Sequence, residues 1–155
     1  MSGALFLADA AATEALGRSL APVLRAGDVV LLSGGLGLGK TSFARGVLSG
    51  LGLAGEAPSP TFAIVQPYAP PEVRVPVLHA DLYRIEDAGE LDELGLDDAL
   101  YDSALLVEWP ERVPASIWRD PLLLTFALGQ TGGQAGGRAL TWHASAAWER
   151  RWRPI

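Results

Sequence analysis

The sequence predicts a single α/β domain over residues 1–155, three layers deep, with a mostly parallel central sheet and antiparallel C-terminal strands. Three observations carry this prediction. The apolar run Val29-Val30-Leu31-Leu32 reads as a buried strand and runs directly into glycines, Lys40 and a helical stretch. A second apolar run, residues 104–107, ends in Glu108. Two late runs, residues 121–128 and 138–144, flank a glycine-rich segment at 129–137 and read as an antiparallel pair.

Along the chain, residues 9–25 place Leu16, Leu20, Val23 and Leu24 on one helical face, with a break or bend at Pro22 and a stop at Gly27. The strand at 29–32 follows, then a helix over 41–51 capped by Gly52. Residues 52–60 are rich in Gly, Pro and Ala and read as a loop. Residues 61–65 are β-branched and aromatic, which predicts a strand, and residues 67–72 predict a turn. Residues 73–80 alternate as a strand, and Pro76 within them predicts an edge position or a bulge. Asp87 is placed to cap a short helix running through Leu94. No internal repeat is visible, and no linker is long enough to divide two domains.

Composition narrows the function classes. The chain has 155 residues, 49% hydrophobic and 19% charged, enough apolar content for a real core. No apolar run reaches the roughly 18–20 residues that span a bilayer, and the N-terminus lacks a basic signal-like start, so a cytoplasmic location is expected. The absence of cysteine excludes disulfides, zinc thiolates and thiol catalysis. A net charge of −6 argues against tight, unaided binding to a nucleic-acid backbone. The chain has 11 arginines but a single lysine, Lys40. A compact ammonium is therefore wanted at that point, where arginine's planar fork will not serve. There is no asparagine, which excludes the Asn-Lys-x-Asp guanine-reading motif.

Gly34-Gly35-Leu36-Gly37-Leu38-Gly39-Lys40-Thr41 fits Gly-x-x-x-x-Gly-Lys-Ser/Thr, the phosphate-binding P-loop. Its glycines turn backbone N–H groups inward, and the helix start after it, including Ser42, presents more. Lys40 is placed to reach β- and γ-phosphates, and the Thr41 hydroxyl to ligate magnesium, with ATP the expected nucleotide. A chance match in a chain this long is on the order of 1%, so the motif outweighs a merely glycine-rich turn. The fold expected is therefore P-loop NTPase-like. An acid is wanted at a strand end nearby, and Asp81 and Glu108 both qualify, as metal ligands or as the group orienting water. Ser59-Pro60-Thr61 sits where a switch segment would offer a hydroxyl. His79 and His143 lack ligand spacing and read as structural.

These residues resemble the bacterial TsaE (YjeE) family. The likeness runs through the P-loop with Ser42, Ser59-Pro60-Thr61, His79-Ala80-Asp81-Leu82-Tyr83-Arg84, Glu90-Leu91, Gly95 and Glu108-Trp109-Pro110. The resemblance implies an ATPase in threonylcarbamoyladenosine synthesis on tRNAs that read codons starting with A. It implies TsaB and TsaD as partners and tRNA met only through the complex. It places Lys40 and the loop on the phosphates, Thr41 with Glu108 and Asp81 on magnesium, and Thr61 in the switch segment. Trp109 then shapes the site, while Ala10 to Thr13 and Arg138 approach the nucleotide. Two positions depart from the family pattern: Gly35, where Asp is common, and Leu38, where Ala is common. A small-molecule kinase is the alternative, with the segment 111–120 as its only candidate lid, and a nucleotide-switched binding module is a third reading.

Overall fold

The computed structural model describes residues 1–55, 57, 65–129 and 137–154. Seven strands form one mixed sheet: β1 (Ser2–Leu7), β2 (Val29–Gly34), β3 (Val65–Tyr68), β4 (Val77–Asp81), β5 (Ala104–Glu108), β6 (Leu122–Leu128) and β7 (Arg138–Ala144). Their order is β1-β7-β6-β2-β5-β4-β3. The inner four, β6-β2-β5-β4, are parallel to one another, and β1, β7 and β3 join antiparallel at the two sides.

The parallel strands are apolar on both faces because both faces are covered. Val30, Leu32, Leu106 and Leu124 point to one side, where they pack with Leu16, Leu20, Phe43 and Val47 of α1 (Ala10–Leu20) and α2 (Lys40–Gly50). Val29, Leu31, Leu105 and Val107 point to the other, toward Leu91 of α3 (Ala88–Glu93) and Leu96 of α4 (Leu96–Ala99). Each fully buried Leu or Phe contributes roughly 1.5–3 kcal/mol.

Asp9 starts α1 by accepting the Ala12 N–H at 2.8 Å, and the helix gives way to a single 3-10 turn at Ala21–Val23, where Pro22 sits. A Cβ at Gly17 would collide with the Phe43 carbonyl, and one at Gly46 with the Glu14 carbonyl. The two helices therefore touch backbone to backbone, which brings the start of α1 beside the start of α2.

The structure corrects several sequence expectations. β1 was not expected; it forms by pairing with β7, Ser2 opposite His143. Of the strand expected at 61–65, residues 61–64 lie outside the described residues; Val65 opens β3, which runs to Tyr68 and takes in Pro67, a residue expected in a turn. Tyr68, expected in a turn, is a buried strand residue. The strand expected at 73–80 begins only at Val77 and is interior, between β3 and β5. Pro76 precedes it and uses its carbonyl to accept from the Ala104 N–H. Among the described residues the edge position belongs to β3 and Pro67, and an edge strand tolerates a residue with no N–H.

Candidate functional site

A cleft of about 250 Å³ opens at the C-terminal ends of β2, β4 and β5. Open α/β sheets bind ligands in this place. The loop after β2 forms its floor, with Gly34, Gly37 and Gly39 at φ of 135°, 72° and 114°. L-residues with side chains rarely adopt such angles, and the glycines let the loop fold around a hollow. Gly39 caps α2 without a side-chain hydrogen bond, and the first turn carries no acid. The helix start therefore presents N–H groups and the positive end of its dipole.

Lys40 begins α2 and is only 5% exposed. Its Nζ donates to the carbonyls of Gly34 at 2.6 Å and Gly35 at 2.7 Å and lies 4.4 Å from the centre of the Trp109 ring. Burial pulls its amine below the ordinary lysine range, against Glu108, Glu111 and Asp81, whose charges pull it back up.

The carboxylates arrive by sheet register. β4 and β5 run parallel with Asp81 opposite Glu108, and Leu32 of β2 stands opposite Glu108 on the other side. Both acids thus end adjacent strands just beside the loop. Glu108 Oε1 accepts from the Thr41 hydroxyl at 3.1 Å, and its Oε2 lies 2.6 Å from His79 Nε2. Asp81 Oδ1 accepts from the Tyr83 N–H at 2.9 Å. Burial pushes the Asp81 carboxyl above its ordinary range; the Tyr83 hydrogen bond counters it, and Glu108 adds to it.

Trp109 follows Glu108 at φ 61°, a left-handed conformation uncommon for a bulky residue. It is held there by a stack: Lys40 on its ring, Tyr83 at 4.9 Å, and Arg112 5.0 Å from the Tyr83 ring. The other walls are Ala10 and Thr13 from α1, Leu36, Gly37 and Ser42, and Arg138 from β7. Arg138 Nη2 donates to the Gly37 carbonyl at 3.1 Å and ties the β6–β7 hairpin to the loop.

The structure therefore brings Ala10, Thr13, Leu36, Gly37, Gly39, Lys40, Thr41, Ser42, Asp81, Glu108, Trp109 and Arg138 to one cleft. Gly34 and Gly35 act through their carbonyls, while Leu38 turns inward onto the core. Thr61 lies outside the described residues. Gly35 and Leu38 meet in space: a Cβ at Gly35 would stand 3.3 Å from Leu38 Cδ1.

Sequence reasoning missed His79 and Glu111 as site residues. Glu111 accepts from Ser33 Oγ at 3.1 Å and is one of the charges acting on Lys40. For His79 the signal was present: strand residues two apart share a face, so a cleft-facing Asp81 carries His79 with it.

The donor set suits a hard cation. A hydroxyl and two carboxylates converge, and among the described residues no three His, Asp or Glu side chains form a dedicated metal cage. Magnesium is a cation that Thr41, Glu108 and Asp81 would suit, since it takes few protein oxygens.

Comparison with known proteins gives a consistent result. Residues 7–135 match the family model described as threonylcarbamoyl adenosine biosynthesis protein TsaE. A Streptomyces coelicolor protein named tRNA threonylcarbamoyladenosine biosynthesis protein TsaE is 43% identical over 122 residues, 77% of this chain and 82% of its own. A Synechocystis protein of the same name is 45% identical over 116 residues, 70% of this chain and 71% of its own. The crystal structure of YdiB from Bacillus subtilis superimposes with a TM-score of 0.72 at 27% identity, covering 95% of this chain and 88% of that one.

Proposed function

The chain belongs to the TsaE family, and from that premise we propose that it binds ATP with magnesium and hydrolyses it in the cytoplasm. In this reading it serves threonylcarbamoyladenosine formation on tRNAs that read codons starting with A, together with TsaB and TsaD. The observation that carries the proposal is the buried Lys40 amine, seated in a glycine loop and faced by Asp81 and Glu108 on neighbouring strand ends. An amine drawn out of water and turned onto its own loop carbonyls gains by exchanging them for phosphate oxygens.

The residues divide the work. The loop from Gly34 to Thr41 and the start of α2 bind the β- and γ-phosphates, and Lys40 balances charge on the transferring group. Thr41, Glu108 and Asp81 hold magnesium, which supplies charge neutralisation on the phosphoryl oxygens. Trp109 covers the Lys40 side of the cleft, excluding water there. Ala10 and Thr13 line the cleft beyond the phosphate loop, where the nucleoside would lie, and Arg138 approaches from the hairpin. The net charge of −6 agrees with tRNA being met through partners. Among the described residues no helix is long and apolar enough to cross a membrane.

The test uses γ-labelled ATP, magnesium and the purified chain, with and without TsaB and TsaD. Free labelled phosphate, faster with the partners, is expected. Label appearing on an added metabolite would instead mark a kinase. Absence of any calorimetric binding signal with ATP and magnesium would overturn the reading.

A further inference from the structure

His79 is 1% exposed, in an interior strand, opposite Gln66 of β3 on one side and Leu106 of β5 on the other. It shares a face of β4 with Asp81, and the register sets it opposite Leu106, two residues before Glu108. Its ring reaches forward along the strand direction to Glu108 Oε2 at 2.6 Å. A carboxylate only accepts, so the hydrogen is carried by Nε2. Nδ1 is shielded from water and has no hydrogen-bond partner among the described residues. An apolar side chain would fill this place in the sheet without leaving a polar atom orphaned. The histidine is thus a costly choice for packing alone, and among the described residues its side-chain hydrogen bond goes to the acid at the heart of the cleft.

We infer that His79 is the positioning residue for Glu108, clamping Oε2 so that Oε1 stays aimed at the Thr41 hydroxyl and the cation position beside it. This deepens the proposed function and rests on Thr41 and Glu108 as the magnesium-holding pair. The chain of contacts is continuous: His79 Nε2 to Glu108 Oε2, then Glu108 Oε1 to Thr41 Oγ1 at 3.1 Å. With the hydroxyl hydrogen committed to Glu108, the Thr41 lone pairs are left facing outward for a cation. Take away the His79 clamp and the carboxylate regains rotation about its own side chain. The hydroxyl then loses its fixed orientation while the phosphate loop stays intact. Partners that orient metal ligands in this way typically change metal affinity or activity by about 10–100-fold when replaced.

The test compares wild type, His79→Leu and His79→Gln, the last able to offer an N–H to Glu108. ADP affinity is measured by calorimetry with and without magnesium, and ATP hydrolysis is resolved into kcat and KM. Metal-free ADP affinity of His79→Leu should stay within about twofold of wild type, since among the described residues the His79 ring hydrogen-bonds to Glu108 and not to the phosphate loop. The tightening by magnesium should shrink at least about tenfold, and kcat should fall more than KM rises. His79→Gln should recover most of both. The inference is overturned if His79→Leu keeps the full magnesium effect and kcat, or if His79→Gln is as impaired as His79→Leu. Should leucine at 79 prevent folding, His79→Asn, whose amide stops short of Glu108, takes its place. If wild type itself shows neither magnesium-dependent affinity nor hydrolysis, the proposed function falls first, an outcome distinct from failure of the clamp alone.

Discussion

Two parts of this molecule are equally hidden from water and opposite in their energetics. Under α1 and α2, the interior is Leu, Val and Phe: Leu32, Phe43, Val47 and Leu106 are all 0% exposed. At the start of α2 and toward the ends of β4 and β5 sit Lys40, His79, Asp81 and Glu108, none more than 8% exposed. Burial lowers the free energy of the first group. It opposes the charges of the second, drawing Lys40 and Asp81 toward their neutral forms. The lesson is that the strand tips are built for something other than stability. Their charges are satisfied by one another and by a few hydrogen bonds, as expected of a site waiting for a more highly charged ligand.

The contrast can be broken most decisively at Lys40. Lys40→Ala should lower ATP hydrolysis by at least about 10²–10³-fold, the scale of removing a preorganised electrostatic contact. Its melting temperature should not drop, since a desolvated amine is lost. Near-normal turnover in this variant would defeat the phosphate role. The mirror experiment lies in the apolar part. Leu106→Ala should cost about 2–5 kcal/mol of stability, read from denaturant midpoints, while nucleotide affinity of the folded fraction holds. An affinity loss matching the stability loss would mean the two regions are not separable.

A smaller effect is expected at the loop joining them. Gly37 has φ 72° and open space around it. Gly37→Ala therefore meets no clash, only the roughly 1–2 kcal/mol of a left-handed L-residue. ATP affinity should weaken about tenfold with little change in expression or fold, measured by calorimetry. The smallest effect sharpens the comparison from the other side. The folded Asp81 carboxyl titrates above its unfolded range, so its ionised form costs stability at pH above that raised value. The penalty fades as pH falls through the raised range and is gone below the unfolded one. Asp81→Asn should raise the metal-free melting temperature at neutral pH by a few degrees, and the gain should vanish in acid. A lower melting temperature at neutral pH would show that ionised Asp81 is stabilised rather than strained.

Much of the centre of the fold was legible in the sequence, because buried parallel strands are continuous apolar runs. Residues 29–32 and 104–107 announce themselves without knowledge of their neighbours, and the glycines, Lys40 and Thr41 fix what lies between strand and helix. Local chemistry was equally plain where a cap decides: Asp87 accepts the Glu90 N–H at 3.0 Å, as expected of a residue starting α3. What failed depends on distant partners. β1 contains Gly3 and Ala4, weak strand formers, and exists because β7 lies alongside; a Cβ at Gly3 would press on the Trp142 ring. The rule that proline marks an edge was sound, but it applied to Pro67 rather than Pro76, since the order of strands across a sheet is not written in any one of them. Asp81 and Glu108 could be named singly as candidates, yet their adjacency is a property of register. His79 was discounted because ligand spacing was sought along the chain, and its partner is 29 residues away.

The stack on Trp109 has an optical consequence. The chain has five tryptophans, but Trp118 is buried in the apolar cluster with Leu91 and Leu96, Trp142 and Trp152 meet edge to face, and Trp148 lies beneath Arg151. Among the described residues only Trp109 has an ammonium over its ring, 4.4 Å from its centre. A ligand that draws that ammonium away changes the electric field on the indole, and with it the colour of the emitted light. Replacing the other four indoles with phenylalanine would leave a single emitter whose spectrum reports, in real time, whether the phosphate seat is filled.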